Sequence, residues 1–202
     1  MFSSRLWNLF IDSFPKMFIR GLTVTIPLTA IAFSLAMVIA VIVALVQFAN
    51  IKVLKQICRF YIWIFRGTPL LVQLFIVFFG LMNVGLVLEP FLAAVIVFAL
   101  NEGAYGAETV RASLESVPPG QLEAGQCAGL SYLQTIFRIV LPQAMRTAFP
   151  SLFNALISML KDTSLAATIT VTEMFKVSQQ IVARTYEPLL LYLEVCLIYL
   201  IF

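Results

Sequence analysis

The sequence predicts an all-α membrane protein of about five transmembrane helices. Hydrophobic residues fill 61% of the 202 positions and charged ones only 11%, and the mean hydropathy is +1.00. No ordinary soluble domain of this length sustains that balance. Two stretches, Gly21 to Ile51 and Gly67 to Leu88, contain no Asp, Glu, Lys or Arg. A spanning helix needs about 20 apolar residues, because the hydrocarbon core offers no water to satisfy an open backbone.

Residues 1–20 open the chain with Trp7, Phe10, Ile11, Phe14 and Phe18 at helical spacing, while Arg5, Asn8, Asp12 and Lys16 fall elsewhere. That pattern suits a short helix lying in the membrane interface. It does not suit a cleaved signal peptide, since the charged lead is long and the apolar run that follows exceeds an h-region. The first span follows, and after it Lys52, Lys55, Gln56 and Arg59 line one helical face and Val53, Ile57, Phe60, Tyr61 and Ile64 the other. Four basic residues and no acid lie between Lys52 and Arg66, which places this connection in the cytoplasm. Counting spans from there puts the amino terminus outside and the loop from Arg111 to Arg146 inside. Arg5, Lys16 and Arg20 oppose that orientation weakly.

The remaining spans are expected at about Gly67–Leu88, Pro90–Val110, Ala148–Val171 and from Pro188 onward. The last apolar run reaches Phe202, and a charged cytoplasmic tail is expected beyond it. No repeat or low-complexity tract divides the chain, so residues 1–202 read as a single membrane domain.

Composition also excludes functions. Without histidine the chain lacks the usual general base and the commonest transition-metal ligand, so no catalytic or metal-ligating residue is assigned. Cys58, Cys127 and Cys196 are scattered and lack C-x-x-C spacing, which reads as apolar packing rather than a disulfide framework or a zinc site. A net charge of +3 with no basic patch interleaved with aromatics gives no reason to expect nucleic acid.

Residues 112–147 form a polar, glycine-punctuated loop. Pro118 and Pro119 can open a helix, and Gly129 can end it in the left-handed conformation. Ser131, with Gln134 three residues on, reads as a capping box that opens a second short helix. Leu133, Ile136, Phe137 and Val140 form its apolar stripe against the chain's own membrane domain, Pro142 closes it, and the turn from Gly129 to Tyr132 is left exposed.

Ionisable side chains inside a bilayer are costly and usually face a cavity or a partner. Glu102 and Glu108 fall in the third span, Lys161 and Asp162 near the middle of the fourth, and Glu194 in the fifth. Lys161 and Asp162 point about 100° apart on a helix and cannot simply neutralise each other. Asp162, Thr163 and Ser164 favour helix starts, so a break near Asp162 is expected, with a helix restarting there. Its positive end would suit a substrate carboxylate, and Asp162, or Asn101 with Glu102, a substrate ammonium. The alternative is that Thr163 and Ser164 bond back to carbonyls one turn earlier while Lys161 and Asp162 serve a subunit interface. Arg66, Thr68 and Gln73 also keep two readings: a basic membrane-edge anchor beside a Gly-Pro entry, or an unwound segment whose Thr68 and Gln73 line a path.

The run from Glu123 to Pro142 resembles the EAA loop, E-A-A-x3-G-x9-I-x-L-P, of ABC importer permeases. Glu123, Ala124, Gly129, Ile139, Leu141 and Pro142 match, and Gly125 replaces the second alanine. That exchange softens a helix by up to about 1 kcal/mol. Three further segments resemble permeases of the histidine, glutamine, arginine and cystine type: RGTPLLVQ from Arg66 to Gln73, AYGAETVR from Ala104 to Arg111, and LKDTSL from Leu160 to Leu165.

The resemblance implies a type I ABC importer permease fold with cytoplasmic coupling helices, in a bacterial cytoplasmic membrane. It implies no cofactor on this chain, with ATP and magnesium on a partner ATPase. The other implied partners are a second permease, identical or related, and an extracytoplasmic amino-acid-binding protein. Glu123 to Gly125, Gly129 to Tyr132, Ile139, Leu141 and Pro142 become ATPase-coupling residues. Polar amino acids are the implied cargo, carried by alternating access; another zwitterion such as an opine, or an ATP-independent channel or carrier, is the alternative.

Overall fold

The computed structural model describes residues 4–202, and among these every regular element is helical. Helix α1 (Ser4–Arg20) runs through a π-turn at Gly21–Thr25 into α2 (Ile26–Phe48), making one helix of 45 residues. Next come α3 (Lys52–Gly67) and α4 (Leu70–Phe75), then a π-turn at Ile76–Gly80 and the short α5 (Leu81–Asn83). The long α6 (Pro90–Ser116) leads to α7 (Gly120–Cys127) and α8 (Tyr132–Thr135). A third π-turn at Ile136–Val140 enters α9 (Leu141–Asp162), which tightens into a 3-10 helix at Thr163–Ile169. The chain ends with α10 (Met174–Thr185) and α11 (Pro188–Ile201).

Two described helices are long and apolar enough to cross a bilayer, Ser4–Phe48 and Pro90–Ser116, and a third appears if Lys52–Gly67 and Leu70–Asn83 count as one broken span. This is fewer than the five expected, for local reasons. The charge-free run from Gly67 to Leu88 is helical only over Leu70–Asn83, because Thr68 is extended before Pro69 and Gly85 turns left-handed at φ 86°. Helix α9 carries Arg146, Lys161 and Asp162, and α11 has 14 residues.

Two of the π-turns end two residues before a proline, Pro27 and Pro142. Proline cannot donate to the carbonyl four residues back, and its ring collides with it. Widening the preceding turn by one residue lets the helix pass through.

The chain forms two compact units. In the second, Phe33–Leu70 with Phe98–Ile157, small residues bring helices together. Ala36, Ala40 and Ala44 of α2 are fully buried. A methyl added at Gly106 of α6 would lie 3.0 Å from Ala40 Cβ, and one at Gly103 would lie 2.9 Å from Ile39 Cγ2 and 3.0 Å from Tyr61 Oη. Such close contact of small side chains is how helices gain packing energy where lipid offers no hydrophobic gain. The Tyr61 hydroxyl donates to the Leu100 carbonyl at 2.5 Å, fixing α3 to α6.

The first unit, Met1–Ala32 with Leu71–Val97 and Ser158–Phe202, centres on Met17, Met174, Leu191, Val195 and Ile198. The apolar face of α1 divides: Phe14 and Phe18 pack against this core, whereas Trp7 and Ile11 stay exposed. The Ser13 hydroxyl donates to Glu194 Oε2 at 2.7 Å, both residues being buried, and Arg5 pairs with Glu187 at 3.6 Å.

Candidate functional site

Helix α7 begins directly after Pro118 and Pro119 and stops at Gly129, whose φ is 76°. Gly129 N–H donates to the Gln126 carbonyl at 2.9 Å and Leu130 N–H to the Gly125 carbonyl at 3.0 Å, the paired bonds of a Schellman cap. The capping box at the head of α8 is complete: Gln134 N–H donates to Ser131 Oγ at 3.3 Å, and Ser131 N–H to Gln134 Oε1 at 2.9 Å. Together these fix a tight turn from Ala128 to Ser131.

The segment after the cap differs from the expected short helix. Pro142 does not close it; the π-turn carries the chain past Pro142 into α9, so α8 is the head of a long helical run. The wide turn also splits the expected apolar stripe. Ile136 and Val140 are buried with Val110, Leu114, Ala144 and Ala148, whereas Leu133 and Phe137 are 64% and 56% exposed. With Tyr132 they leave an apolar patch beside the capped turn. Glu123 and Ala124 are exposed, Ile139 and Leu141 half-buried, and Pro142 exposed. Gln143 Nε2 donates to Gln121 Oε1 at 3.1 Å and holds α9 to α7.

Still in the second unit, the segments around Arg66 and Glu108 meet. Glu108 lies 2.9 Å from Arg111 and 3.9 Å from Arg66, and Arg111 also pairs with Glu115 at 2.7 Å. The Arg66 guanidinium sits 5.2 Å above the Tyr105 ring, and Gln47 Nε2 donates to Glu108 at 3.5 Å. Gln47, Arg66, Glu108, Arg111 and Glu115 wall a cavity of about 400 Å³ together with Lys55, Arg59 and Trp63. The sequence marks Glu108 as an ionisable residue of the third span that should face a cavity or a partner, whereas Arg111 enters only as a motif letter. Their three- and four-residue spacing with Glu115 was the available signal.

Asn101 Nδ2 donates to the Phe65 carbonyl at 3.2 Å, and Thr68 Oγ1 to the Ile64 carbonyl at 2.8 Å. Glu102 is half-buried and Gln73, on α4, buried. In the first unit no new helix starts at Asp162: α9 tightens directly into the 3-10 segment, so no free helix end is presented. Thr163 is fully buried and its hydroxyl donates to the Leu160 carbonyl at 2.6 Å. Ser164 is half-buried, and Lys161 and Asp162 are exposed. Cys127 and Cys196 are exposed rather than packed, and Cys58 is half-buried.

One buried carboxylate was not singled out from sequence. Glu173 caps α10, accepting from Phe175 N–H at 2.8 Å and Lys176 N–H at 2.6 Å, and is 0% exposed. Burial pushes its carboxyl up to about 7, against the lowering effect of the two N–H bonds.

Residues 36–202 match the family described as binding-protein-dependent transport system inner membrane component. The chain is 45% identical over 194 residues to the L-cystine transport system permease protein TcyB of Bacillus subtilis (strain 168), covering 96% of this chain and 83% of that one. It is 36% identical over 203 residues to the nopaline transport system permease protein NocM of Agrobacterium fabrum, with 96% and 84% covered. Among solved structures, it superposes on a chain of an amino acid ABC transporter crystallised with histidines, with a TM-score of 0.85, 33% identity, and 96% and 90% coverage.

Proposed function

Because the chain belongs to the family of binding-protein-dependent transport system inner membrane components, we propose that it is the permease subunit of an ATP-driven importer of polar amino acids. The cargo class follows the relatives, among them the cystine permease. The observation that carries the reading is the capped turn from Ala128 to Ser131 with Tyr132, Leu133 and Phe137 exposed beside it. A rigid, apolar-edged knob of this kind is suited to docking in a partner's groove, and a carrier working without ATP has no use for one.

In this reading Glu123, Ala124, Gly125, Gly129, Leu130, Ser131, Tyr132, Ile139, Leu141 and Pro142 couple the chain to an ATPase that holds ATP and magnesium. The chain itself does no covalent chemistry. It sits in the cytoplasmic membrane with its amino terminus outside, and the basic stretch from Lys52 to Arg66 supports that orientation. A second permease, identical or related, and an extracytoplasmic amino-acid-binding protein complete the assembly. Candidate substrate-path residues are Thr68, Asn101 and Glu102 of the second unit, and Gln73, Lys161, Asp162 and Ser164 of the first; Arg66 takes the membrane-edge reading, and Thr163, fully buried with its hydroxyl on the Leu160 carbonyl, supports its stretch from behind.

A second reading, favoured by the likeness to the nopaline permease, gives the cargo as an opine. Uptake of radiolabelled cystine, glutamine, histidine, arginine and nopaline into proteoliposomes holding the whole assembly separates the two. ATP-dependent uptake of a polar amino acid is expected. Nopaline uptake alone overturns the cargo, and uptake that continues without ATP overturns the importer reading.

A further inference from the structure

We infer that the basic edge of α3 and the cavity beside it bind the phosphate headgroup of an anionic phospholipid. Lys52, Lys55, Arg59 and Arg66 lie three, seven and fourteen residues along from the first, so all four fall within about 60° on a 3.6-residue helix. On one flank of that stripe Ile62 is buried against Ala40, Ala104 and Ala107. On the other, Val53, Ile57, Phe60 and Trp63 are 59% to 72% exposed. A helix with a packed flank, a basic edge and an open aromatic-apolar flank matches one lying where headgroups meet acyl chains.

The cavity adds selectivity to that placement. Lys55, Arg59, Arg66 and Arg111 contribute four positive charges and Glu108 and Glu115 two negative ones, a net of +2. Both carboxylates are already engaged by Arg111, with Arg66 also near Glu108. Lys55 donates to Asn50 Oδ1 at 2.7 Å, a neutral acceptor that leaves its charge uncompensated. A phosphodiester supplies the missing anion and accepts charge-assisted bonds from Lys55 and Arg59. Trp63 on the cavity wall and the apolar flank next to it cover the first acyl carbons, which commits the site to a lipid rather than a soluble anion.

The test counts phosphatidylglycerol retained by the transporter after mild detergent extraction, using native mass spectrometry. Lys55→Gln with Arg59→Gln is expected to weaken retention about thirtyfold, the worth of two basic residues at an anionic surface. Lys16→Gln with Arg20→Gln, which removes the same charge from α1, should leave it unchanged, as should Arg59→Lys. Equal loss in both double variants, undiminished retention in the first, or loss of lipid on adding inorganic phosphate would each overturn the proposal. Circular dichroism confirms that the variants are folded, and if the double variant is not, Lys55→Gln alone is compared with Arg59→Lys.

Discussion

Gly125 lies in contact with Thr135 across the capped turn, so close that an added β-carbon would sit 2.5 Å from Thr135 Oγ1 and 3.0 Å from its Cβ. The glycine that departs from the EAA pattern is therefore a packing requirement, and it is buried. Thr135 cannot yield easily, being β-branched and bonded through its hydroxyl to the Ser131 carbonyl at 3.1 Å.

Gly125→Ala, which restores the EAA alanine and raises helix propensity, should nevertheless destabilise the protein by about 1 to 3 kcal/mol through overpacking. Adding Thr135→Ser removes the methyl that collides and should recover part of the loss. Thermal unfolding of the two variants decides, and an increase in stability for Gly125→Ala alone would show that the turn opens freely.

Removing the charge of Glu108 should loosen the attachment of α3 to α6. With Glu108→Gln, the half-buried Arg111 loses a charged acceptor and the exposed Arg66 a neighbouring charge, a cost of about 1 kcal/mol. Glu115 is 55% exposed at its side chain, so Glu115→Gln should cost less than about 1 kcal/mol. A double-mutant cycle of Arg111→Gln with Glu108→Gln in chemical unfolding measures the coupling, and a coupling of zero would mean that the cluster contributes nothing to stability.

Local chemistry in this chain was legible in the sequence because its causes lie within a few residues. Ser131 with Gln134, and Gly129 after α7, form the caps their spacing announces. The stripe through Leu133 and Phe137 failed because it assumed 3.6 residues per turn across a wider turn that Pro142 imposes. Near Asp162 the residue types offered a helix restart or a backward bond from Thr163; the structure has the backward bond, the buried Thr163 hydroxyl donating to the Leu160 carbonyl, and the helix tightens into a 3-10 form that the residue types did not specify. The meeting of Arg66 with Glu108, and of Ser13 with Glu194, depends on how helices pack, and nothing local to either segment encodes it.

Glu173 should make stability fall as pH rises. Its carboxyl titrates near 7 when folded and at the ordinary 4.5 when not, so between these values the folded state binds the extra proton. The stabilisation is complete below about 4.5 and lost by about 7, on the order of 3 kcal/mol. Unfolding temperatures of the detergent-solubilised protein should decline across that window, and Glu173→Gln should flatten the decline while still accepting the Phe175 N–H bond. An unchanged slope in the variant would assign the pH dependence to another group.

Asp162 and Thr163 should separate in transport assays, although they adjoin. Asp162 is exposed at the end of α9, where a carboxylate is available to a substrate ammonium. Thr163 is fully buried and its hydroxyl is committed to the Leu160 carbonyl. Losing a charge-assisted bond to substrate is worth about 1.5 to 3 kcal/mol, so Asp162→Asn should raise the KM for amino-acid uptake by about 10- to 150-fold. Thr163→Val keeps the shape and loses only a backbone bond, so it should leave KM near that of the parent and act on stability alone. Uptake kinetics in proteoliposomes check both, and an unchanged KM in Asp162→Asn would remove Asp162 from the substrate path.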